Sequence, residues 1–214
     1  MSPLIRIVYG DATPVILSFK ERAPFLTDAE YKHAYEQVRP YDIERETDCN
    51  DATVIEIVKN AVGPKVLEVA CGRAYLADKI ARNTGFSVTG TDIVIEQRIR
   101  ERYPNINFVD AFVERLPFEN GAFDTVICTH CIEHVMNIGI CMAELRRVAR
   151  RRLIVVVPKQ RPYKYSFDLH INFFPYIHSF LMAVIPGENP PRPEDVKCYL
   201  CDGDIYYQEE MSVP

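Results

Sequence analysis

From Lys65 to Pro158 the chain alternates short, almost wholly apolar runs with longer stretches whose apolar residues recur at helical spacing. KVLEVA (65–70), FSVTGTD (86–92), INFVD (106–110), FDTVICT (123–129) and RLIVVVP (152–158) predict buried strands. AYLADKIARNT (74–84), IEQRIRERY (95–103) and IGICMAELRRVAR (138–150) predict the helices between them. Upstream, DAEYKHAYEQV (28–38) and DATVIEIVKNAV (51–62) predict two more helices, the second with Asp51 as its N-cap. LIRIVY (4–9) and PVILSF (14–19) predict two short strands around GDATP.

Strand and helix at short intervals require parallel pairing and right-handed crossovers. The expected fold is α/β, a doubly wound and mostly parallel sheet. After Pro158 the pattern changes: the tail is rich in proline and aromatic residues, with a helix expected over 175–185. Asp202–Gly203, between the strand-like VKCYLC and DIYYQEE, signals an antiparallel hairpin at the end of the sheet. The chain therefore divides into an N-terminal extension or cap (1–50), an α/β core (51–158), and a substrate-side segment with the terminal hairpin of the same domain (159–214).

The strands are apolar but their exits are polar. The first ends at Glu68, Cys71 and Gly72, the second at Asp92, the third at Asp110, and the fourth at Thr129 and His130. Ligands of open α/β sheets lie outside these carboxyl ends. A dinucleotide loop needs GxGxxG so that the backbone can approach a pyrophosphate. Here the loop reads Ala70-Cys71-Gly72-Arg73-Ala74, and Glu68 beside it would repel a diphosphate, which disfavours a nicotinamide-dependent oxidoreductase. A phosphate-free ligand with positive charge suits these carboxylates better. Asp92, with Ile93 beside it, lies 24 residues beyond Glu68, a spacing that suits ribose hydroxyls; Asp110 is placed for an adenine amino group. S-adenosylmethionine, an adenosine with a cationic amino-acid tail, meets all three.

VLEVACGRAYLA, VTGTDIV, FVDAFVERLPFENGAFDTVICTHCIEHV and ELRRVARRRLIVVVP, in this order and spacing over residues 64–158, resemble the class I S-adenosylmethionine-dependent methyltransferases, small-molecule type. The resemblance implies a Rossmann-like methyltransferase fold. It implies that Glu68 contacts the loop or the cofactor's amino group, that Ala70, Cys71 and Gly72 pass close to the methionine part, that Asp92 binds the ribose, and that Asp110 with the backbone near Ala111 binds the adenine. The family's first and third loop glycines are Ala70 and Ala74 here, and its KPGG turn before the fifth strand is replaced by ARRR.

Methyl transfer to a hydroxyl gains from a general base. Four residues qualify as base or substrate contact: His130 and His134 after the fourth strand, and Asp168 and His170 in the tail. His130 also falls beside the expected methyl group. His130 and His134 would share a face if a helix has begun there. Asp168 and His170 would point the same way if their stretch is extended, the acid orienting the imidazole. The aromatics Tyr163, Tyr165, Phe167, Phe173, Phe174 and Tyr176 are core or pocket lid.

Composition narrows the rest. The 214 residues are 48% apolar and 26% charged, with net charge −5, which argues against nucleic acid. The basic cluster RRVARRR (146–152) reads as a solvated helix end or an anion or partner contact. The seven cysteines include two CxxC pairs, Cys128–Cys131 and Cys198–Cys201; free thiols are the expected state, with a four-thiolate zinc site as the alternative and no metal expected. No secretory signal or spanning run is seen, so a cytoplasmic protein is expected. The function expected is transfer of a methyl group to a small-molecule acceptor, such as a sugar or glycan-precursor hydroxyl or a specialised metabolite. A protein or RNA methyltransferase and a non-catalytic S-adenosylmethionine-binding module are the alternatives.

Overall fold

The computed structural model describes residues 3–38, 41, 45–165, 168–187 and 190–211, with backbone only for 3–5. Seven strands form one sheet: β1 (Lys65–Val69), β2 (Ser87–Asp92), β3 (Asn107–Asp110), β4 (Phe123–Thr129), β5 (Ala149–Pro158), β6 (Val196–Cys201) and β7 (Asp204–Glu210). Their order is β3-β2-β1-β4-β5-β7-β6. Strands β1 to β5 pair in parallel, and β7 runs antiparallel to both β5 and β6. This is the expected Rossmann-like sheet with its closing hairpin. Asp202 (φ 45°) and Gly203 (φ 96°) both take left-handed conformations, as a two-residue hairpin turn with the sheet's twist requires.

Eight α-helices accompany the sheet among the described residues: α1 (Pro3–Tyr9), α2 (Thr13–Arg22), α3 (Asp28–Val38), α4 (Asp51–Asn60), α5 (Tyr75–Thr84), α6 (Gln97–Arg102), α7 (Ile138–Val148) and α8 (Ile177–Val184). Successive strand residues face opposite layers. Val66, Ile127 and Ile154 pack with Ile57, Ile80 and Ile99 of α4, α5 and α6. Leu67, Val126 and Val155 pack with Met142, Leu145 and Phe180 of α7 and α8. Continuous apolar strands follow from burial on both faces.

Three expectations are corrected. The segments 4–9 and 14–19 lie in helices α1 and α2, not strands. Pro14 sits in the first turn of α2, where its missing N–H costs nothing, and the buried residues Ala12, Ile16, Phe19 and Ala23 recur at spacings of four, three and four. Windows of six residues hid that period. The N-cap of α4 is Asn50, whose side chain accepts the Thr53 N–H at 2.8 Å; Asp51 takes the first turn instead. The arginines of 146–152 do not form a solvated helix end: Arg150, Arg151 and Arg152 lie in β5, and Arg146 pairs with Glu209, Arg147 with Glu144, Arg150 with Asp124 and Arg152 with Glu210, while Arg150 and Arg151 stay exposed. Helix α7 passes into β5 with no intervening residue, the short junction that ARRR implies.

Helices α1 to α3 carry a smaller core of their own, in which Ile16, Phe19, Ala34 and Val38 close on Leu169. They therefore cover the 168–171 stretch at the carboxyl ends of the strands.

Candidate active site

The strand order reverses between β1 and β4, which opens a crevice at their carboxyl ends. On the β1 side lies the loop 70–74. Ala70, Gly72 and Ala74 all have left-handed backbones (φ 58°, 50° and 59°). The two alanines thus adopt the conformation that glycine takes without strain. A side chain on Gly72 would meet nothing within 4 Å, so the loop faces open space there. Across the loop, Gly90 leaves room for Cys71, whose Sγ would lie 3.0 Å from a Cβ at that position.

Asp92 pins this loop. Its Oδ2 accepts the Gly72 N–H at 2.9 Å, its Oδ1 the Val94 N–H at 3.4 Å, and its carbonyl the Ala111 N–H at 2.9 Å. Ile93 beside it is half-buried. Asp110, opposite Asp92 in the β2–β3 register, accepts from Ile95 N–H at 3.1 Å and pairs with Arg100 at 2.8 Å, with 57% of its side chain exposed. The carboxylates of 92 and 110 therefore lie side by side at the mouth of the crevice.

Glu68 stands elsewhere. It is 3% exposed, beneath the loop, and bonds to the backbone of Ala77 in α5. Burial, with Asp92 nearby, pushes its carboxyl up to about 8, and Oε2 has no hydrogen-bond partner. Of the two contacts expected for Glu68, this favours the backbone of the loop and helix. Cys71 is likewise buried, and its thiol is pushed up by that burial.

From β4 the chain turns at His130 (φ 49°), and no helix begins until Ile138. His130 and His134 therefore do not share a helix face; each finds a separate partner. His130 Nδ1 is 3.4 Å from Glu133 Oε1 and Nε2 is 3.8 Å from Asp204 Oδ1, ion-pair rather than hydrogen-bond separations. Burial works against the charge on His130, but the carboxylates of Asp204 and Glu133 outweigh it and hold the imidazole protonated. That charge suits a substrate contact at His130 better than a base. Burial also opposes the charge on Glu133, yet the imidazoles of His130, His134 and His170 hold its carboxyl below the usual range.

His134 and His170 stack edge to face with ring centroids 4.6 Å apart. Leu169 is left-handed (φ 60°), so 168–170 is a turn rather than an extended stretch. Asp168 still reaches His170, through the turn: Oδ1 accepts the His170 N–H at 3.3 Å and Oδ2 lies 3.4 Å from Nδ1. The shorter contact of Nδ1 is to Gln160 Oε1 at 2.7 Å. Tyr163 donates to both Asp168 oxygens, at 2.5 and 2.7 Å. Burial pushes His170 down to about 4.

Of the aromatics, Phe174 is core against Phe180. Tyr163 and Phe173 pack with each other under the Lys20 ammonium, 4.1 and 4.4 Å from the ring centroids. Tyr165 and Tyr176 are exposed, and Phe167 lies outside the described residues. Two groups that sequence reasoning missed are central. Glu133 stands next to His134 in the IEHV run and was legible there as a carboxylate–imidazole pair. Asp204 gave no signal: it arrives from the terminal hairpin, where Asn50 and Thr53 also donate to it at 3.0 and 3.1 Å. The two CxxC pairs sit in and after β4 and in β6, with β5 and β7 between those strands, and all seven cysteines are free.

No helix among the described residues is long and apolar enough to cross a membrane. Residues 67–157 match the family described as "Methyltransferase domain". A demethylmenaquinone methyltransferase of Chlorobaculum tepidum is 35% identical over 89 residues, 41% of this chain and 37% of that protein. The chain thus spans well under half the length of that curated relative. The crystal structure of Burkholderia thailandensis 1,6-didemethyltoxoflavin-N1-methyltransferase superposes with a TM-score of 0.60 at 18% identity, over 91% of this chain and 88% of that one. A SAM-dependent methyltransferase from Aquifex aeolicus does so with a TM-score of 0.58 at 12% identity, over 83% and 98%. At such identities the likeness speaks to the fold, while the match over 67–157 speaks to descent. The segment that holds β1, the glycine-poor loop, Asp92, Asp110 and the histidine turn is a class I S-adenosylmethionine-dependent methyltransferase domain.

Proposed function

We propose that the protein transfers a methyl group from S-adenosylmethionine to a small-molecule acceptor. One observation carries this reading: at the reversal of strand order, a loop with three left-handed residues and the adjacent Asp92 and Asp110 lie at the carboxyl ends of the strands, where β4 turns at His130. The residues fit the cofactor. Asp92 would accept the ribose hydroxyls on lone pairs left beside its two amide bonds, with Ile93 next to it. Asp110 and the Ala111 amide would take the adenine edge, and the open side of Gly72, between Ala70 and Cys71, would admit the methionine part. Glu68 would support the loop from below.

The cofactor supplies an electrophilic methyl; the protein supplies placement and a route for the proton. His130, held charged by Glu133 and Asp204, would orient the acceptor or the cofactor's carboxylate. His134, whose Nδ1 has no hydrogen-bond partner, and His170, positioned by Asp168 and Gln160, would contact the acceptor at the reacting hydroxyl. Helices α2 and α3 would exclude water from the transfer.

The acceptor is read as a small molecule because the Chlorobaculum tepidum relative bears the name of a demethylmenaquinone methyltransferase, and because four of the arginines of 146–152 are paired with carboxylates of the chain, which weakens the support for a macromolecular acceptor. The glycine-like backbone of the loop supports cofactor binding there, against the depleted glycine content that favours a non-catalytic module. Calorimetry with S-adenosylmethionine, S-adenosylhomocysteine and a nicotinamide dinucleotide tests the reading first. Heat with the two sulfur ligands and none with the dinucleotide is expected. No heat with either sulfur ligand would overturn it. Single alanine substitutions at His134 and His170 should then slow transfer of labelled methyl while leaving cofactor binding intact.

A further inference from the structure

Glu133, His134 and His170 bring one donor atom each to within 4.8 Å of one another. Glu133 is 1% exposed, and neither of its oxygens has a hydrogen-bond partner; nor has His134 Nδ1. Buried polar atoms are normally paired, so three orphaned atoms on two members of one cluster call for a ligand. His130 balances the charge of Glu133 from 3.4 Å without bonding to it. Nδ1 of His170 is engaged by Gln160 at 2.7 Å and faced by Asp168 at 3.4 Å. Such a partner on one ring nitrogen fixes the tautomer that presents the other nitrogen to a metal ion.

The two ligand-bearing segments are also fastened together. The Glu133 carbonyl accepts from both Ile171 and Asn172 N–H groups, at 2.8 and 2.9 Å, and the Asn172 side chain donates to the carbonyls of Ile132 and Val135 at 3.0 and 2.8 Å. Tyr31 donates to the His134 carbonyl, and the Tyr35 ring lies against the His134 ring at 5.8 Å. The cluster is thus held in place before any ligand arrives.

We propose that Glu133, His134 and His170 form a binding site for one divalent transition-metal ion. Two imidazoles and one carboxylate are a donor set that Zn2+, Mn2+, Fe2+ and Co2+ accept, and three protein ligands leave positions open for another oxygen. The role of the ion rests on the methyltransferase reading. An acceptor hydroxyl bound to it gives up its proton to water more readily. The O–CH3 bond then forms as the S–CH3 bond breaks, the electron pair staying on sulfur. The histidines would hold the ion and leave proton acceptance to solvent.

The test uses the full chain, treated with EDTA and desalted. Titration with Mn2+ and Zn2+ by calorimetry should show one equivalent bound. Glu133→Gln, His134→Ala and His170→Ala should each weaken it by at least about tenfold, while the surface change His178→Ala leaves it unaltered. Where a variant fails to fold by circular dichroism, the Co2+ absorption spectrum of the wild-type protein decides: visible bands of nitrogen and oxygen ligation support the site, and the spectrum of aqueous Co2+ overturns it. Wild-type protein that takes up no ion, or folded variants that bind as wild type does, would overturn it as well. Calorimetry with S-adenosylmethionine on the metal-free protein separates the two ideas. Cofactor binding without metal uptake rejects the metal site alone, whereas metal uptake without cofactor binding rejects the methyltransferase reading and leaves the site standing.

Discussion

The Asp92 carboxylate and the Gly72 amide are joined at 2.9 Å, linking the end of β2 to the loop after β1. The same carboxylate holds the Val94 amide, so one side chain shapes the loop and faces the crevice. Asp92→Ala should therefore weaken S-adenosylmethionine binding by more than tenfold and reduce stability by about 1 kcal/mol. Calorimetry and urea unfolding measure the two effects. Unchanged affinity would remove Asp92 from the cofactor site.

Ala70 and Ala74 share a left-handed backbone but not an environment. Ala70 is half-buried, whereas Ala74 is 0% exposed in the core under α5. Relief of left-handed strain is worth roughly 1 kcal/mol. At position 74 glycine also forfeits a buried methyl, about 0.8 kcal/mol. Ala70→Gly should raise the melting temperature, and Ala74→Gly should leave it nearly unchanged. Neither should alter cofactor affinity by more than about twofold, because the backbone already has the required shape.

Glu68 should impose a pH dependence on the cofactor-free protein. Its carboxyl rises from the usual 4.5 to about 8 in the folded state. Between those values the native chain keeps a proton that the unfolded chain has lost, so stability from this group falls as pH rises through the window. Glu68→Gln should flatten that fall, with the larger gain over wild type near pH 8 than near pH 5. Equal unfolding midpoints of the two proteins at both ends would contradict the buried, protonated carboxyl.

Asp204 ties the terminal hairpin to α4 and to His130. Asp204→Asn removes the negative charge from a buried cation and misplaces a donor opposite Asn50 and Thr53. A loss of about 2–4 kcal/mol is expected in denaturant unfolding. A loss below about 0.5 kcal/mol, the range of ordinary surface changes, would show that the three contacts contribute little.

The sheet, the order of its elements and the place of the ligand could be read from the chain because they depend on local pattern. Apolar runs such as 152–158 can only be covered strands, Asp202–Gly203 can only turn, and the strand exits carry Asp92 and Asp110 in plain sequence order. The pattern misled where a window was short: at 4–9 and 14–19 six residues fitted a strand, while the buried set across 12–23 is helical. What only the tertiary structure decided is which distant polar groups meet. Glu133 and His170, and His130 and Asp204, are 37 and 74 positions apart, and no local periodicity encodes their encounter. Left-handed turns at His130 and Leu169 stand at these meeting points, and no residue type there announces them. Those encounters are made in a weakly screened space, where Asp204 and Glu133 favour the charge on His130 against the cost of its burial.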